Sequence, residues 1–218
     1  MIKKQNYLKH AIVLFLLLLL MQPERAWAAY ENIEFSSLTN HDGLTNSQVG
    51  AILKDTRGYI WFGTQSGLCR FDGFRMKTFY YSNTDDKSLP NNSVDELQQD
   101  YDGNIWVHTS VGYSIYKYDE EQFDRKPEEW LKDIHVQGPP YKLLIDKDKN
   151  MWIAVYGQGL YYHNAKTRNT YLFKFTKKAQ PGCLKEGNIS KITEVDGDAL
   201  FTYDAGTISR VNGMQQNV

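Results

Sequence analysis

The chain has 218 residues, of which 41% are hydrophobic and 23% are charged, with 25 basic and 26 acidic side chains. This length suits one domain of ordinary size. The near balance of charge, without any run of lysines or arginines, argues against a nucleic acid partner, because phosphate binding needs clustered basic residues.

Residues 1–28 have the composition of a secretory signal peptide. Three lysines precede an apolar run from Ala11 to Met21, and an Ala-Trp-Ala sequence ends at residue 28. The apolar run has eleven residues, whereas a membrane span needs about 20. Without residues 1–28, which hold four basic and one acidic side chain, 21 basic and 25 acidic residues remain, a net charge of −4. The pattern predicts an exported protein, with an uncleaved anchor as the alternative.

The remainder of the chain repeats itself. A mid-strand aromatic residue recurs at spacings of 45, 46 and 49 residues, at Trp61, Trp106, Trp152 and Phe201. A period of about 40–50 residues with several short strands is typical of β-propeller blades. An aromatic residue at the same place in every repeat is expected to pack blade on blade, so these four are interpreted as structural core.

Alternation of apolar and polar residues divides each repeat into four strands joined by polar turns. The predicted fold is therefore all-β, a β-propeller of about four four-stranded blades. The blades are expected at roughly 44–83, 89–125, 138–176 and 187–212. Residues 30–38 are expected to form an outer closing strand. A stretch with helical character, 119–135, is interpreted as an insertion with one helical turn near Glu128 to Lys132.

The last repeat is the most degenerate one. Rings usually have 4–8 blades, so the repeats are interpreted as part of a larger ring with a blade edge left unpaired, and a four-bladed ring is the alternative. The cysteines Cys69 and Cys183 lie in different repeats. An exported compartment permits a disulfide between them, and one buried thiol with one loop thiol is the other interpretation.

The repeat motif resembles the two-component regulator propeller repeat. The first copy matches it at Asn46, Val49, Asp55, Gly58, Trp61, Gly63, Thr64, Gly67, Leu68, Arg70, Phe71 and Asp72. The second copy has Val107-His108 where the first has Phe62-Gly63, the third has Lys149 in place of the first glycine, and the fourth lacks both that glycine and the tryptophan.

The resemblance implies a periplasmic, ligand-sensing part of a hybrid two-component system of the Bacteroidetes type, in which such propellers typically sense glycan fragments. In that family, further blades, a transmembrane helix and a histidine kinase follow. None of these is recognisable here, so the chain is interpreted as a non-catalytic N-terminal fragment. The resemblance further implies membrane-linked downstream domains, anchoring of the full-length protein in the inner membrane, and compatibility of that protein with a dimer.

Candidate ligand-binding residues lie at one end of the blades. The turns between second and third strands emerge there with the inter-blade loops, and their residues vary between repeats, as expected for function carried by loops on a rigid scaffold. The candidates are Gln65, Asn91, Asn92, His108, Thr109, Tyr156 and Gln158. Of the aromatics outside the repeat register, Tyr113, Trp130 and Tyr156 are better ligand candidates than the tryptophan column, and a plain surface or packing role is the alternative for each. The amides, hydroxyls and rings suit a neutral oligosaccharide.

No metal, cofactor or catalytic residue is predicted. The segments from Asp100 and Asp146 resemble calcium loops, but their twelfth positions are Val111 and Gly157, where a bidentate Glu is required. They are interpreted as hairpin turns. The histidines do not have metal-ligand spacing, and nucleophile-elbow and HExxH motifs are absent from the sequence.

Three other functions stay open from the sequence. A secreted propeller enzyme, either a polysaccharide lyase or a glycoside hydrolase, would place a carboxylate or histidine cluster in the central pocket. A protein-interaction scaffold would show an exposed apolar patch. A truncated product without independent function is the third.

Overall fold

The computed structural model describes residues 36–176, 184–185, 188–196 and 198–212. The chain divides into two compact units, Met1–Ser37 and Leu38–Val218, and every strand among the described residues belongs to the second. The predicted signal peptide, most of the predicted closing strand and Cys183 lie outside the described residues, while the described remainder of that strand, 36–38, is not in a strand.

The first two blades are antiparallel sheets of four strands in chain order. Blade 1 consists of β1 (Val49–Lys54), β2 (Ile60–Thr64), β3 (Gly67–Phe71) and β4 (Met76–Phe79). Blade 2 consists of β5 (Val94–Gln99), β6 (Ile105–Thr109), β7 (Gly112–Lys117) and β8 (Gln122–Asp124). A short 3-10 helix, Asn40–Asp42, precedes blade 1, and α1 (Pro127–Asp133) follows blade 2.

Blades 3 and 4 depart from four strands. Blade 3 has β9 (Pro140–Ile145), β10 (Met151–Val155), β11 (Gly159–His163) and β12 (Thr170–Thr176), with β13 (Leu184–Lys185) added parallel to β12. Blade 4 has three described strands, β14 (Ile189–Val195), β15 (Asp198–Tyr203) and β16 (Ile208–Asn212). The predicted all-β propeller of four blades is therefore correct, with this difference in strand number.

The first strands of successive blades pack side by side, β1 on β5, β5 on β9 and β9 on β14. The strands β5 and β9 lie inside this arc and contain buried residues, such as Val94 and Leu143, whereas β1 at one end contains no buried residue and Ile52 is exposed. The arc thus brings the first strands of blades 2, 3 and 4 together at the centre.

The helix α1 is longer than the single turn expected from sequence. Pro127 occupies its first turn, where the missing N–H costs nothing because that group has no partner within a helix. The Ile134 N–H bonds the Leu131 carbonyl and ends the helix. Leu131 is buried among side chains of blades 2 and 3, so the insertion is anchored to the core between them.

The repeated aromatics fill the interfaces between blades. Trp61, Trp106, Trp152 and Phe201 are 0%, 1%, 2% and 0% exposed. Trp61 packs with blade 2 residues, Trp106 with blade 3 residues, and Trp152 contacts Phe201 of blade 4 at 5.6 Å between ring centroids. Burial of one such side chain contributes about 1.5–3 kcal/mol or more, so each member of this column adds substantially to the packing between blades.

Each tryptophan of the first two blades is tied to the turn that precedes it. The Trp61 indole N–H donates to Asp55 Oδ2 at 2.7 Å, and the Trp106 indole N–H donates to Asp100 Oδ2 at 2.9 Å. The second carboxylate oxygen of Asp100 accepts the backbone N–H groups of Asp102 and Asn104, at 3.0 and 2.9 Å. Asp146, which is half-buried, accepts the backbone N–H groups of Asp148 and Asn150 in the same way, both at 2.9 Å. The two segments that resemble calcium loops are thus hairpin turns, each closed by its aspartate carboxylate.

Blade 4 lacks both members of this pair. The residue six positions before Phe201 is Val195, whereas an aspartate precedes each tryptophan by six residues in the other blades. A phenylalanine ring has no N–H to donate, so an aspartate in this turn would lose its indole donor. The two replacements therefore compensate each other chemically.

Cys69 is a fully buried thiol in β3. Its sulfur accepts the backbone N–H of Thr45 at 3.3 Å and lies 3.3 Å from the Thr45 hydroxyl. In the described part of the chain this thiol is a packing group.

Candidate functional site

A cleft of about 480 Å³ opens between blades 2 and 3, at the end of the blades opposite the aspartate turns. We call it the aromatic cleft. It is lined by His108, Val111, Gly112, Tyr113, Arg125, Pro127, Glu128, Pro139, Pro140, Tyr141 and Tyr156. Its walls come from β6 and β7 of blade 2, the start of α1, and β9 with the turn after β10 in blade 3.

Two stacked tyrosines form one side of the aromatic cleft. The rings of Tyr141 and Tyr156 are nearly parallel, 18° apart, with 4.0 Å between centroids. The Tyr141 hydroxyl accepts the Ile189 N–H at 3.1 Å and is thereby fixed to blade 4. Tyr156, in the β10–β11 turn, is 64% exposed. The pair thus exposes the Tyr156 ring to solvent, while the fixed Tyr141 ring supports it from one side.

The opposite side of the aromatic cleft is held by a hydrogen-bond network. The Tyr113 hydroxyl donates to Glu96 Oε2 at 2.9 Å and accepts the Leu143 N–H at 3.0 Å. Burial, with the neighbouring Glu96 charge, raises the pKa of Tyr113 well above its usual range. The His108 ring lies 4.5 Å from the Tyr113 ring, centroid to centroid. Tyr113 therefore connects blades 2 and 3 as a neutral phenol.

A second cleft of about 250 Å³ lies beside the first, among the central strands β5, β9 and β14. We call it the charged cleft. It is lined by Asp95, Glu96, His108, Lys142, Leu143, Lys191 and Ile192. His108 lines both clefts, and its Nδ1 lies 2.6 Å from Asp95 Oδ1. The two clefts therefore share the His108 imidazole as part of their lining.

His108 occupies a position that is glycine in blade 1. A Cβ on Gly63 would come within 2.6 Å of Val94 Cγ1, so blade 1 has no room for a side chain there. Blade 2 departs from the repeat motif at this position and places an imidazole at the junction of the clefts. The departure identified from sequence is thus the central residue of the site.

Arg125 borders the aromatic cleft but serves the blade 1–2 connection. Its guanidinium donates to the backbone oxygens of Ser88, at 3.0 Å, and Asp85, at 2.9 Å, and to the Ser88 hydroxyl, at 2.7 Å. These bonds gather residues 82–89 around one cation. The Arg125 side chain therefore holds this loop together, and its charge also faces the aromatic cleft.

The predicted site residues separate into two groups. His108 and Tyr156 lie in the aromatic cleft together, with Tyr113. The remaining candidates, apart from Gln158, hold local structure. The Thr109 hydroxyl is buried and donates to the Gly112 carbonyl at 3.0 Å, closing the β6–β7 turn.

Three other candidates belong to the connection between blades 1 and 2. Asn91 and Asn92 accept the backbone N–H groups of Ser93 and Tyr81, at 2.8 and 2.7 Å, and Gln65 accepts the Ser93 hydroxyl at 2.9 Å. Gln158 is exposed in the β10–β11 turn but lines neither cleft. Trp130 packs on Trp106 with 5.4 Å between centroids.

Several lining residues were not among the predicted candidates, and four of them matter most for the chemistry of the clefts: Glu96, Tyr141, Lys142 and Lys191. All lie within the first strands of their blades, which sequence reasoning treated as scaffold. Tyr141 could have been noticed as an aromatic directly after Pro139-Pro140, where the chain enters blade 3. The lysines carry no comparable signal.

The described residues contain no group of three or more His, Cys, Asp or Glu side chains placed to hold a metal ion. None of the helices among them has the length and apolar character that a bilayer crossing requires. The groups that line the clefts are suited to hydrogen bonding, stacking and charge pairing with a ligand.

The family model described as two component regulator propeller matches residues 43–66 and 88–110. These segments contain the turns of Asp55 and Asp100 with the strands on either side. The chain carries two-component regulator propeller repeats. The resemblance inferred from the motif is thereby confirmed.

Similar proteins agree with this family. Histidine kinase P4 of Formosa agariphila is 41% identical over 61 residues, which are 28% of this chain and 4% of that protein. The crystallised extracellular domain assigned to a hybrid two-component system of B. thetaiotaomicron has a TM-score of 0.57 and 23% identity, over 83% of this chain and 25% of that chain. A second B. thetaiotaomicron extracellular domain, assigned to a one-component system, has a TM-score of 0.52 and 15% identity, over 80% of this chain and 25% of that one.

The chain thus spans a quarter or less of the length of these relatives. The two structural likenesses show the propeller fold. The family model adds that residues 43–66 and 88–110 match the two component regulator propeller repeat.

Proposed function

We propose that this domain is an exported ligand-sensing module of a hybrid two-component sensor and that it binds an oligosaccharide in the aromatic cleft. The observation that supports this most is the stacked pair of Tyr141 and Tyr156, which presents one ring to solvent beside hydrogen-bonding groups. Aromatic faces stack on the apolar faces of sugar rings, while neighbouring polar groups select hydroxyl positions.

Binding, rather than turnover, fits the chemistry of the aromatic cleft. A tyrosine base would need an accessible phenolate, but the Tyr113 hydroxyl is engaged by Glu96 and the Leu143 N–H, and its pKa is raised by burial. Glu96 in turn accepts from Tyr113 and from Gln98, at 2.9 and 2.6 Å. These groups hold structure, which favours a sensor over a lyase or glycoside hydrolase.

A ligand in this cleft would contact two blades and the helix between them. Pro127 and Glu128 of α1 line the cleft, while Leu131 is packed into the core between blades 2 and 3. A ligand transmits a signal only by its difference in affinity for two conformations. A change in the position of α1 relative to blade 3 is the route that we propose, with downstream domains of the full-length protein as its receivers.

The test compares oligosaccharide binding by the full chain and by Tyr156→Ala. Glycan microarrays identify a ligand, and titration calorimetry measures its affinity. We expect Tyr156→Ala to weaken binding about tenfold or more, since it removes the stacking face. Tyr80→Ala is the matched control, because Tyr80 is 51% exposed and lines neither cleft. A full chain that binds no oligosaccharide, or equal affinity in Tyr156→Ala, would contradict the proposal.

We propose a periplasmic location from the signal pattern in residues 1–28. Mass spectrometry of the chain recovered from a periplasmic fraction is expected to find its N-terminus at Ala29 or Tyr30. Recovery in the cytoplasm with Met1 retained would refute export.

A further inference from the structure

The charged cleft contains both signs of charge, and the carboxylates already have partners. Asp95 lies 2.6 Å from His108 Nδ1. Glu96 accepts the Tyr113 hydroxyl and the Gln98 amide, at 2.9 and 2.6 Å. The negative charges of this cleft are therefore bound to groups of blade 2 itself.

The two lysines of the charged cleft differ from its carboxylates. Neither Lys142 nor Lys191 forms an ion pair with any carboxylate among the described residues. They lie on β9 and β14, two central strands that pack against each other, so two blades supply one ammonium each. Lys142 is half-buried and Lys191 is exposed. Two ammonium groups at one cleft together attract an anion.

The position of the lysines relates them to the aromatic cleft. Lys142 follows Tyr141 directly in β9, and His108 lines both clefts. A ligand whose ring stacks on Tyr156 therefore extends past His108 toward the lysines. A neutral oligosaccharide would leave both ammonium groups without a counter-charge, whereas an acidic one would supply it.

We propose that the charged cleft binds the anionic group of an acidic oligosaccharide, either a uronate carboxylate or a sulfate ester, with Lys142 and Lys191 as its counter-charges. This inference rests on the proposed function and changes the ligand class from the neutral oligosaccharide expected from sequence. A divalent cation is a poor occupant, because the lysines repel it and the carboxylates are already engaged.

The experiment uses the full chain and matched pairs of probes. One arm compares hexagalacturonate with its methyl ester, which removes the carboxylate charges from the same sugar skeleton. A second arm compares a sulfated heparin tetrasaccharide with its desulfated counterpart, and cellohexaose serves as a neutral stacking probe. Each probe is titrated calorimetrically at low and high salt.

The variants test the two lysines directly. Lys142→Gln/Lys191→Gln is expected to weaken binding of the preferred acidic probe about tenfold or more and to flatten its salt dependence. The control Lys166→Gln/Lys174→Gln removes the same charge at exposed positions that line neither cleft, and is expected to leave binding unchanged. A loss of binding on methyl esterification assigns the site to a carboxylate, and a loss on desulfation assigns it to a sulfate ester, since the desulfated tetrasaccharide keeps its uronate carboxylates.

The outcomes separate this inference from the proposed function. If acidic and neutral probes bind equally through Tyr156, or the charged-cleft variant binds the acidic probe with unchanged affinity, the inference is overturned while the oligosaccharide sensor stands. If the full chain binds none of these probes and no other oligosaccharide on an array, both are overturned.

Discussion

The two ends of the blades use their polar groups in opposite ways. At the aspartate-turn end, carboxylates such as Asp100 are buried and bonded to the turn and to the indole N–H. At the cleft end, Tyr156 is exposed and Lys142 and Lys191 have no ion-pair partner among the described residues. One end uses its polar groups to stabilise the fold, and the other presents the groups for which we propose a ligand.

Blade 4 shows that the aspartate turn serves the tryptophan. In blade 4, Val195 stands in place of the aspartate and Phe201 in place of the tryptophan, and Phe201 is still fully buried. The blade keeps its aromatic anchor without a carboxylate because the ring has no polar atom to satisfy. The lesson is that the aspartate-turn end keeps hydrogen-bond donor and acceptor balanced within each repeat, whereas the cleft end combines turn-closing bonds, such as that of the Thr109 hydroxyl, with side chains that differ between repeats, such as His108 and Tyr156.

The largest effect is expected from removing a carboxylate at the aspartate-turn end. Asp100→Ala leaves the Trp106 indole N–H and the Asn104 N–H without their acceptor. Burial raises the pKa of Asp100, while the hydrogen bonds from Asn104 and Trp106 lower it and so offset part of the cost of burying the carboxylate. Removing the carboxylate costs more, because it leaves these donors unpaired. We expect the free energy of unfolding to fall by about 3 kcal/mol, measured by urea denaturation.

The neighbouring aspartate provides the control. Asp102 is partly exposed, and its Oδ1 lies 3.6 Å from Arg168. Asp102→Ala is expected to cost about 0.5 kcal/mol, as for a surface ion pair. Equal effects of the two substitutions would show that the turn does not depend on its buried carboxylate.

A smaller, pH-dependent effect is expected from His163. Its Nδ1 donates to the Thr170 hydroxyl at 2.8 Å, since that hydroxyl donates to the Ile134 carbonyl, and its buried Nε2 has no partner among the described residues. Burial lowers the pKa of His163, so the folded state binds fewer protons than the unfolded one. The stability that this contributes is present above the unfolded pKa of about 6.5 and is lost as pH falls below it.

The measurement compares urea midpoints at pH 7.5 and pH 5.5. His163→Phe is expected to lose less stability between these values than the wild type does, while His41→Gln, at an exposed position, keeps the wild-type difference. An unchanged difference in His163→Phe would show that another group carries the pH dependence.

Much of the fold could be predicted because it is periodic. The spacing of Trp61, Trp106 and Trp152 indicates both the blades and their core, since only repeated packing requires such a column. The extent of α1 could not be predicted in the same way, because its burial depends on contacts between blades rather than on its own short pattern. The link between aspartate and tryptophan could also be recognised in the sequence, because blade 4 has lost both residues and carries Val195 and Phe201 in their places.

The candidate site was predictable only where it interrupts the repeat. His108 stands where blade 1 requires glycine, and Tyr156 lies in a variable turn, so both were found. Tyr141 and Lys191 are ordinary strand residues that reach the clefts because β9 and β14 meet at the centre. Proximity across 50 residues of sequence is set by the arrangement of blades, which a single repeat does not encode.

At the cleft end, Tyr141→Phe tests whether the Tyr141 hydroxyl is needed to hold the ring on which Tyr156 stacks. The substitution removes the acceptor of the Ile189 N–H and keeps the ring on which Tyr156 stacks. We expect a loss of about 1 kcal/mol in the free energy of unfolding, with ligand affinity retained. Tyr80→Phe is the control, and a loss of affinity in Tyr141→Phe as large as in Tyr156→Ala would show that ligand binding needs the hydroxyl.

The smallest change in stability is expected at Tyr156. Because the ring is 64% exposed and its stacking partner is fixed independently by Ile189, Tyr156→Ala should lower the free energy of unfolding by no more than about 0.5 kcal/mol. The same substitution is expected to abolish most ligand affinity, so urea denaturation and calorimetry together separate the two roles. A loss of stability comparable to that of Asp100→Ala would mean that the cleft end is also committed to folding, and the distinction between the two ends would fail, because a residue that a fold cannot spare is not one held available for a ligand.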